Sequence, residues 1–388
     1  MDAYSKSEAI DAPSLKIAQY QATLLNGHTD LADQAQKSLD KAITEGALSF
    51  IYKQTCDKLS IEINQELLAS MEAKNAVELA ALDEKIKLSE ELGDLEITSA
   101  FIEKAAYYAK IGNKIDAIAV YQETLGKKST TLNHKLDITF GLLHLGLFYV
   151  DTDLVQAQIE KAKDLVDRGG DWERRNRLKA YEMIWWTYQR DFKKAAKLFQ
   201  ECISTFAAFE LMSFSEFVQI GVIVCTLALE RAELKSKIIN CPEVVEITVE
   251  HPILSTLLNS LYDCKYSAFF QSLAGIEENY LKTNRYLMHH TRYFTREMRI
   301  KSYSQLLQSY RSLTLTSMAS SFGVSEEYID RELSRFIANG RLHCVIDKVS
   351  GIVETNRPDQ KNAQYQATIK QGDLLLNRIQ KLSRVINI

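Results

Sequence analysis

The absence of proline between residues 14 and 241 is the feature that most constrains how this chain can fold. Proline breaks the interior of an α-helix because it has no backbone N–H and its ring clashes with the preceding turn. Within this stretch apolar residues recur at helical spacing, as in Leu79, Leu82 and Ile86. The sequence therefore predicts that this part of the chain consists of α-helices, including a long charged helix over Ala76–Leu92.

The composition predicts a globular, intracellular protein. Of the 388 residues, 46% are hydrophobic and 25% are charged, which is ordinary for a chain that buries a core. The longest apolar run, Phe217–Leu229, is shorter than the roughly 18 to 20 residues that a membrane-spanning helix needs. Residues 1–12 carry three acids and no apolar core, so we expect neither a secretory signal nor a transit peptide there.

Charge is distributed unevenly along the chain, although the formal net charge is only −4. Residues 57–103 contain twelve acidic residues and four lysines, whereas residues 282–311 contain seven Lys or Arg and one acid, Glu297. Solvated helix faces are the simplest interpretation of both runs. Electrostatic matching to neighbouring chains is the alternative.

The sequence offers no constellation that supports catalysis or cofactor binding. It has no phosphate-binding glycine loop, nucleophile elbow or H-E-x-x-H zinc motif. The adjacent histidines His289 and His290 would point about 100° apart on a helix, so we interpret them as a polar surface or interface pair and not as metal ligands. Six cysteines form no C-x-x-C pair and are interpreted mostly as buried thiols. They are Cys56, Cys202, Cys225, Cys241, Cys264 and Cys344. We therefore predict a protein that is not an enzyme and has no catalytic, cofactor-binding or metal-binding residues.

Three helical hairpins follow one another between residues 105 and 203. Their predicted turns lie at Gly112-Asn113, at Asp151-Thr152-Asp153 and at Arg190-Asp191. A small residue in the second helix of each hairpin lets the paired helix approach closely. The residues assigned to this position, 40 and 38 apart, are Ala117, Ala157 and Ala195. In the first and third hairpins an aromatic residue, Tyr121 or Phe199, follows four positions later on the same face.

This period is typical of arrays in which each hairpin exposes an apolar face that only its neighbour covers. We therefore predict a mainly α fold with a right-handed solenoid of TPR-like hairpins. Less regular hairpins are expected at Phe214–Leu234 and Pro252–Tyr280. The run Val244–Val249 between them is compatible with a β-strand and with the start of a helix, and both remain open.

The pattern changes to that of a winged helix after residue 295. After a helix predicted over Glu297–Ser312, a short helix ends at Gly323, whose lack of a Cβ suits a tight turn. Ser325 then caps a second helix. Two β-prone stretches follow and predict a small β-hairpin. They are Leu342–Ile346 and Ile352–Thr355. Either strand is a candidate for an exposed sheet edge available to a neighbour.

The second helix of this module argues against a nucleic-acid partner. In DNA-binding winged helices that helix enters the major groove and is basic. Here the acids Glu326, Glu327, Asp330 and Glu332 outnumber the bases Arg331 and Arg335. We therefore predict contacts with proteins, and RNA binding through the preceding basic segment is the less favoured alternative.

The last segment is predicted to be an assembly helix. Leu375, Ile379, Leu382 and Ile386 follow one another at intervals of four, three and four residues and form a two-heptad seam. Two heptads are too short to be stable alone. These four residues are therefore our candidate interface with another chain.

Helical hairpins that run into a winged helix are the architecture of the PCI domain. Four stretches resemble, more closely, the PCI-domain non-ATPase subunits of the 26S proteasome lid, in particular the subunit numbered seven in fungi. They are Gly169–Lys179, which reads Gly-Gly-Asp-Trp-Glu-Arg-Arg-Asn-Arg-Leu-Lys, and Arg296–Leu315, Glu332–Cys344 and Gly372–Asn387. The resemblance covers nearly the whole chain and weakens before about residue 95. PCI subunit one of the COP9 signalosome is a related family.

This resemblance implies a non-catalytic scaffold subunit of the 19S regulatory particle lid, acting in ubiquitin-dependent protein degradation in the cytoplasm and nucleus. Its implied partners are the other PCI subunits, the lid deubiquitinase and the ATPase ring over which that deubiquitinase is positioned, with no small-molecule substrate and no membrane. A PCI scaffold of the COP9 signalosome and an RNA-binding PCI protein are the alternatives. The expected parts are N-terminal helices over 1–95, TPR-like repeats over 96–295, the winged-helix part of a PCI domain over 296–357 and the C-terminal assembly helix over 358–388.

Overall fold

The structure is a computed structural model that describes residues 13–25, 29–59, 62–89, 91, 93–127, 129–356 and 360–386. The N-terminal segment 1–12 and position 358, both interpreted above, lie outside the described residues. Contacts divide the chain into two units, of which the first comprises residues up to 262 together with 272–294 and the second comprises 263–271 together with 295–388. The four-part division given above is finer than these two units and stays a prediction.

Helices account for most of both units, as predicted. In chain order the helices of the first unit are α1 (Leu15–Leu25), α2 (Thr29–Gly46), α3 (Ser49–Leu59), α4 (Gln65–Ser89), α5 (Asp94–Ile111), α6 (Lys114–Gly126), α7 (Leu132–Tyr149), α8 (Thr152–Asp167), α9 (Trp172–Tyr188), α10 (Phe192–Cys202), α11 (Phe214–Ala228), α12 (Arg231–Leu234), α13 (Pro242–Glu250) and α14 (Pro252–Tyr262). Helices α15 (Tyr266–Ile276) and α16 (Thr291–Ser309) each contribute residues to both units. None of the helices within the described ranges has the length and apolar content to cross a membrane.

The three predicted hairpins are confirmed as α5–α6, α7–α8 and α9–α10. Each second helix begins at a residue whose side-chain oxygen accepts a hydrogen bond from a backbone N–H in the first turn, which satisfies one of the unpaired donors of a helix N-terminus. These capping residues are Asn113, Asp151 and Asp191, with donor–acceptor distances of 3.3, 3.2 and 3.3 Å. The prediction of the turns therefore succeeds because it rests on local capping chemistry.

The prediction that Ala157 is the small residue that lets the two helices of the second hairpin approach closely is wrong. Ala157 is exposed, whereas Ala117 and Ala195 are fully buried. The equivalent residue, four positions after the capping aspartate, is the buried Val155. A valine fits there because the paired helix carries Gly146, on which a Cβ would lie 2.7 Å from Val155 Cγ2. The small residue of this hairpin is thus on the opposite helix, and the true spacings are 38 and 40 residues.

A second glycine marks a close contact between helices in the repeats. Gly221 of α11 packs against the ring of Phe199, and a Cβ at Gly221 would lie 2.0 Å from Phe199 Cε2. Phe199 is fully buried beside Phe217, with ring centroids 5.5 Å apart, so its ring has no free space to enter.

We expect Gly221→Ala to lower the free energy of unfolding by about 1–3 kcal/mol, because overpacking forces the ring and backbone to shift. In a helix position without close neighbours, replacing glycine by alanine normally raises the stability by about 0.5–1 kcal/mol. A loss of stability in Gly221→Ala therefore indicates that the added methyl group clashes with Phe199. Denaturant unfolding followed by circular dichroism measures it. Gly372→Ala is the matched control because no atom lies within 4 Å of its added Cβ. Equal stability of both variants would contradict the expectation.

The run that the sequence left open is helical. Val244–Val249 lies within α13, which begins at Pro242. Proline suits the first helical position because the N–H that it lacks has no partner there. Val244 and Ile247 are buried against the unit, so tertiary packing outweighs the β propensity of this stretch.

The described second unit contains the predicted winged helix. Its helices α17 (Leu315–Phe322) and α18 (Glu326–Ala338) are joined at Gly323, whose φ is +68°, and Ser325 accepts a hydrogen bond from the N–H of Tyr328. The core forms around Tyr303 and Phe322, whose ring centroids lie 4.8 Å apart in an edge-to-face arrangement. The fold class of hairpin repeats, winged helix and C-terminal helix is thus confirmed.

The wing has one strand more than the predicted hairpin. Strands β1 (Ser312–Thr314), β2 (Cys344–Asp347) and β3 (Ile352–Thr355) form an antiparallel sheet in the order β1-β3-β2. The helix predicted over 297–312 ends at Ser309, and Ser312 pairs with Glu354 instead. A strand of three residues is too short to produce a periodic signal, so sequence reasoning missed it.

Candidate assembly surfaces

The C-terminal helix α19 (Gln360–Ile386) exposes a continuous apolar stripe. The four seam residues that the sequence singled out are 54–71% exposed. At 100° per residue they lie within about 60° of one another around the helix axis. The structure therefore presents all four to solvent on one face, and their role as an interface stays a prediction.

Three further residues extend this stripe and were missed by sequence reasoning. Tyr365, Ile369 and Leu376 are 58–67% exposed and fall on the same side, so that the whole stripe spans about 140° of the helix surface. It runs about 30 Å from Tyr365 to Ile386. The opposite side carries four cations, which are Lys370, Arg378, Lys381 and Arg384. A search limited to heptad spacing misses these three residues. A repeat of 3.5 residues selects a narrower stripe than the one that the helix exposes.

The sheet order decides which strand of the wing lies at an edge. β3 is central, so β2 and β1 are the outer strands of the described sheet. The Val345 side chain on β2 is 53% exposed, and Val349 at the hairpin tip is 99% exposed. Asp347 stabilises that tip by accepting hydrogen bonds from the Val349 N–H at 2.9 Å and from Ser350 Oγ at 2.6 Å. An ordered tip and an exposed edge are features of a surface that a neighbouring chain can cover.

Two of the four acids on α18 are engaged within the unit. Glu332 is buried and its carboxylate lies 3.0 Å from Arg299 Nη1, and Asp330 lies 3.1 Å from Lys348 Nζ. The fully exposed acids, Glu326 and Glu327, are balanced by the exposed Arg331 and Arg335. The exposed surface of α18 is therefore neutral and not acidic as the sequence indicated. It still lacks the positive charge that phosphate contacts require.

The basic run 282–311 is not simply a solvated face. Arg285 is largely buried and donates from Nη2 to the carbonyl oxygen of Phe148 at 2.6 Å. Arg299 donates to Tyr328 Oη at 2.8 Å as well as to Glu332. These two arginines hold structure together within their own units.

The adjacent histidines differ in environment. His289 is exposed, but His290 is buried, so the interpretation of the two as a polar surface or interface pair is wrong for His290. His290 Nε2 lies 2.7 Å from the carbonyl oxygen of Tyr188, and Arg190 Nε donates to His290 Nδ1 at 3.3 Å. Accepting from Arg190 requires a neutral imidazole. Burial, aided by the neighbouring Arg190 charge, lowers the pKa of His290.

We expect the stability of the first unit to fall as the pH drops below about 6.5, the pKa of histidine in an unfolded chain. At these sites the unfolded chain binds more protons than the folded one, because burial lowers the pKa of both His290 and His144. Thermal unfolding between pH 7.5 and 5.5 measures this effect. His290→Gln should lose less stability on acidification than the wild type, whereas the control His289→Gln should lose as much. A slope unchanged by His290→Gln would contradict this assignment.

A partly buried ion pair involves Arg177, which lies in the stretch Gly169–Lys179 of the family resemblance. Arg177 Nε donates to Glu210 Oε1, and the Tyr181 hydroxyl donates to the same oxygen at 3.0 Å. The Arg177 guanidinium also lies 4.9 Å from the ring centroid of Phe140. Both charged side chains are about one-sixth exposed. These contacts join α9 to α7 and to the loop before α11, so the role visible here is packing of the repeats.

The burial of the cysteines and the arrangement of potential metal ligands can be compared with the sequence interpretation. None of the six cysteines, all of which lie in the described ranges, forms a disulfide, and those that are buried, as interpreted, are Cys56, Cys202, Cys225 and Cys344. Cys241 and Cys264 are half-buried. No group of three or more His, Cys, Asp or Glu side chains in these ranges is arranged to hold a metal ion.

The winged helix with its preceding helical hairpins defines a PCI-domain protein. Residues 273–357 match the family model of the PCI domain. Residues 64–237 match the family model described as 26S proteasome subunit RPN7, and residues 364–386 match the one described as the RPN7/PSMD6 C-terminal helix of a 26S proteasome regulatory subunit. The last match covers the apolar stripe of α19.

Curated relatives match along almost their entire length. The 26S proteasome non-ATPase regulatory subunit 6 homolog of Arabidopsis thaliana is 47% identical over 366 residues, which are 93% of this chain and 94% of the relative. The 26S proteasome non-ATPase regulatory subunit 6 of Oryza sativa subsp. japonica is 44% identical over 393 aligned residues, covering 100% of both chains. COP9 signalosome complex subunit 1 of Arabidopsis thaliana is 27% identical over 39% of this chain. The chain belongs to the family of 26S proteasome subunit RPN7, and the COP9 subunit is a more distant relative.

Proposed function

We propose that this chain is a non-catalytic scaffold subunit of the proteasome lid that supports ubiquitin-dependent degradation by holding other subunits in place. The observation that carries the proposal is the α19 stripe. Seven large apolar side chains on one helix face are solvent-exposed in the chain taken alone, and exposure of this extent marks an interaction surface. Family membership makes other proteasome subunits the partners.

The ion pairs formed by charged side chains support a non-catalytic role. Two partly buried ion pairs support this role, Arg177 with Glu210 in the first unit and Arg299 with Glu332 between α16 and α18. Pairing of this kind stabilises the fold and engages these four side chains in structural contacts. The finer part of the proposal, that the chain positions the lid deubiquitinase over the ATPase ring, rests on the family resemblance.

Affinity purification of the tagged chain from cells tests the assembly role. We expect recovery with stoichiometric proteasome subunits, including the deubiquitinase. Recovery as a free monomer, or with a different complex, would overturn the proposal. Assaying ubiquitin removal by particles that contain or lack the chain then tests the positioning role, since loss of activity without loss of the deubiquitinase itself is expected.

The alternatives make different predictions in the same purification. A signalosome subunit would co-purify with signalosome chains, although similarity to subunit 1 covers only 39% of this chain. An RNA-binding PCI protein would bind RNA in a salt-sensitive manner, through the basic segment 282–311 that precedes the winged helix. The proposal also includes residence in cytoplasm and nucleus, which imaging of a fluorescently tagged chain tests.

A further inference from the structure

The first unit carries a second apolar surface that the assembly role of α19 does not use. Helix α13 exposes Val245 and Val249, which are 47% and 77% exposed and lie one turn apart on the same face. Beside them a cavity of about 200 Å³ opens between α13 and α14. We call this feature the α13 notch. Buried Val244 and Leu258 form its floor, and Val245, Val249, Ser255 and Asn259 form its rim.

Helix stability does not account for the two exposed valines. β-branched residues lose side-chain freedom in a helix and are poorer helix formers than Ala, Glu or Lys. Helix α13 has only nine residues, and its buried face already contains the β-branched residues Val244, Ile247 and Thr248. Two more β-branched residues on its outer face lower the stability of the helix further. A partner chain that covers both side chains removes them from water and offsets this cost.

The two helices that form the notch carry only negative charge. Residues 238–262 contain no Lys or Arg and carry three glutamates. Glu246 and Glu250 are exposed and continue the outer face of α13 beyond the valines, and Glu243 is half-exposed. The cations on the neighbouring turn are already engaged, since Lys237 Nζ lies 3.2 Å from Glu233 and Lys235 Nζ lies 4.8 Å from the ring centroid of Tyr262.

We propose that the α13 notch binds an amphipathic helix of a partner protein whose apolar face is flanked by Lys or Arg. One large apolar side chain of that helix enters the cavity against Val244 and Leu258 and covers Val245 and Val249. Its cations on one flank reach Glu246 and Glu250, and the uncharged flank of Ser255 and Asn259 accepts polar side chains. Complementary charge selects the partner, and burial of apolar surface supplies the affinity. Nucleic acids and anionic membranes are repelled by the same glutamates.

The test uses the full-length chain and a fluorescein-labelled, 14-residue helical peptide of leucine and lysine, titrated by fluorescence anisotropy. The matched probe has glutamate in place of every lysine. We expect the lysine peptide to bind at least ten times more tightly than the glutamate peptide. Raising the salt concentration should weaken binding of the lysine peptide.

Variants assign the binding to the notch. Combining Val245→Ser with Val249→Ser removes the apolar rim, and combining Glu246→Lys with Glu250→Lys reverses the charge; each pair should weaken binding of the lysine peptide at least fivefold. The control pair, Val77→Ser with Glu84→Lys, alters an exposed valine and an exposed acid on α4 and should change binding less than twofold. All altered side chains are exposed, so unchanged thermal unfolding is expected and is checked for each variant. Equal binding by the notch variants and the control, or by the two peptides, would overturn the proposal.

Discussion

Replacing Leu382 by aspartate should abolish incorporation of this chain into its complex while leaving the unfolding of the isolated chain unchanged. The side chain is 59% exposed in the chain alone, so a carboxylate there remains hydrated and costs the monomer nothing. In an assembled interface the same carboxylate is buried without a partner, which costs several kcal/mol and reduces association by a factor of a hundred or more. Co-purification of proteasome subunits with tagged wild-type and variant chains measures the loss.

The matched control for this prediction is Leu374→Asp. Leu374 is 55% exposed on the same helix but lies outside the apolar stripe, among the cations. Assembly of this variant should match the wild type. If both variants assemble normally, the stripe is not an interface; if both fail, the helix tolerates no added acid and the seam is not specific. A lower melting temperature of the isolated Leu382→Asp chain would show that the helix packs on its own chain instead.

The second large effect concerns the ion pair in the repeats. Arg177→Met should lower the stability of the first unit by about 3–5 kcal/mol, because it leaves the Glu210 carboxylate buried with only the Tyr181 hydroxyl to stabilise its charge. Losing the guanidinium over Phe140 adds to the cost. Chemical denaturation of the purified chain measures the change.

Two companion variants separate the ion pair from general damage. Arg175→Met alters an exposed arginine on the same helix and should change stability by less than about 0.5 kcal/mol. Adding Glu210→Gln to Arg177→Met removes the unpaired charge and should restore part of the loss, since a buried neutral amide costs less than a carboxylate. A double variant less stable than Arg177→Met alone would contradict the account.

Much of the fold was predictable because its signals are local. The turns at Gly112, Asp151 and Asp191 depend on capping residues and on the conformational freedom of a single position, which neighbouring residues in sequence determine. The winged-helix turn at Gly323 belongs to the same class. The error at Ala157 arose where the signal is not local, because the small residue that permits the close approach sits on the other helix, as Gly146.

The environments of charged residues also depend on partners that are distant in sequence. The sequence analysis counted Glu332 among the acids that make the second helix of the winged helix negative, and it placed His290 in a polar surface or interface pair. Both are buried and paired with arginines that are distant in sequence, Arg299 by 33 positions and Arg190 by 100. The periodic pattern of a helix shows which residues share a face. It does not show which distant residue that face meets, because that depends on how the helix packs in the folded chain.

By itself, therefore, the sequence determined the helical class, the positions of the turns, the winged helix and the amphipathic final helix, because each follows from capping, glycine conformation or periodicity over a few turns. Only the tertiary structure decided that β3 is the central strand, that the acids of α18 are partly internal, and that the α19 stripe and the α13 notch remain uncovered. Exposure and pairing depend on residues that are far apart along the chain, and burial is a property of the packed unit and not of the segment.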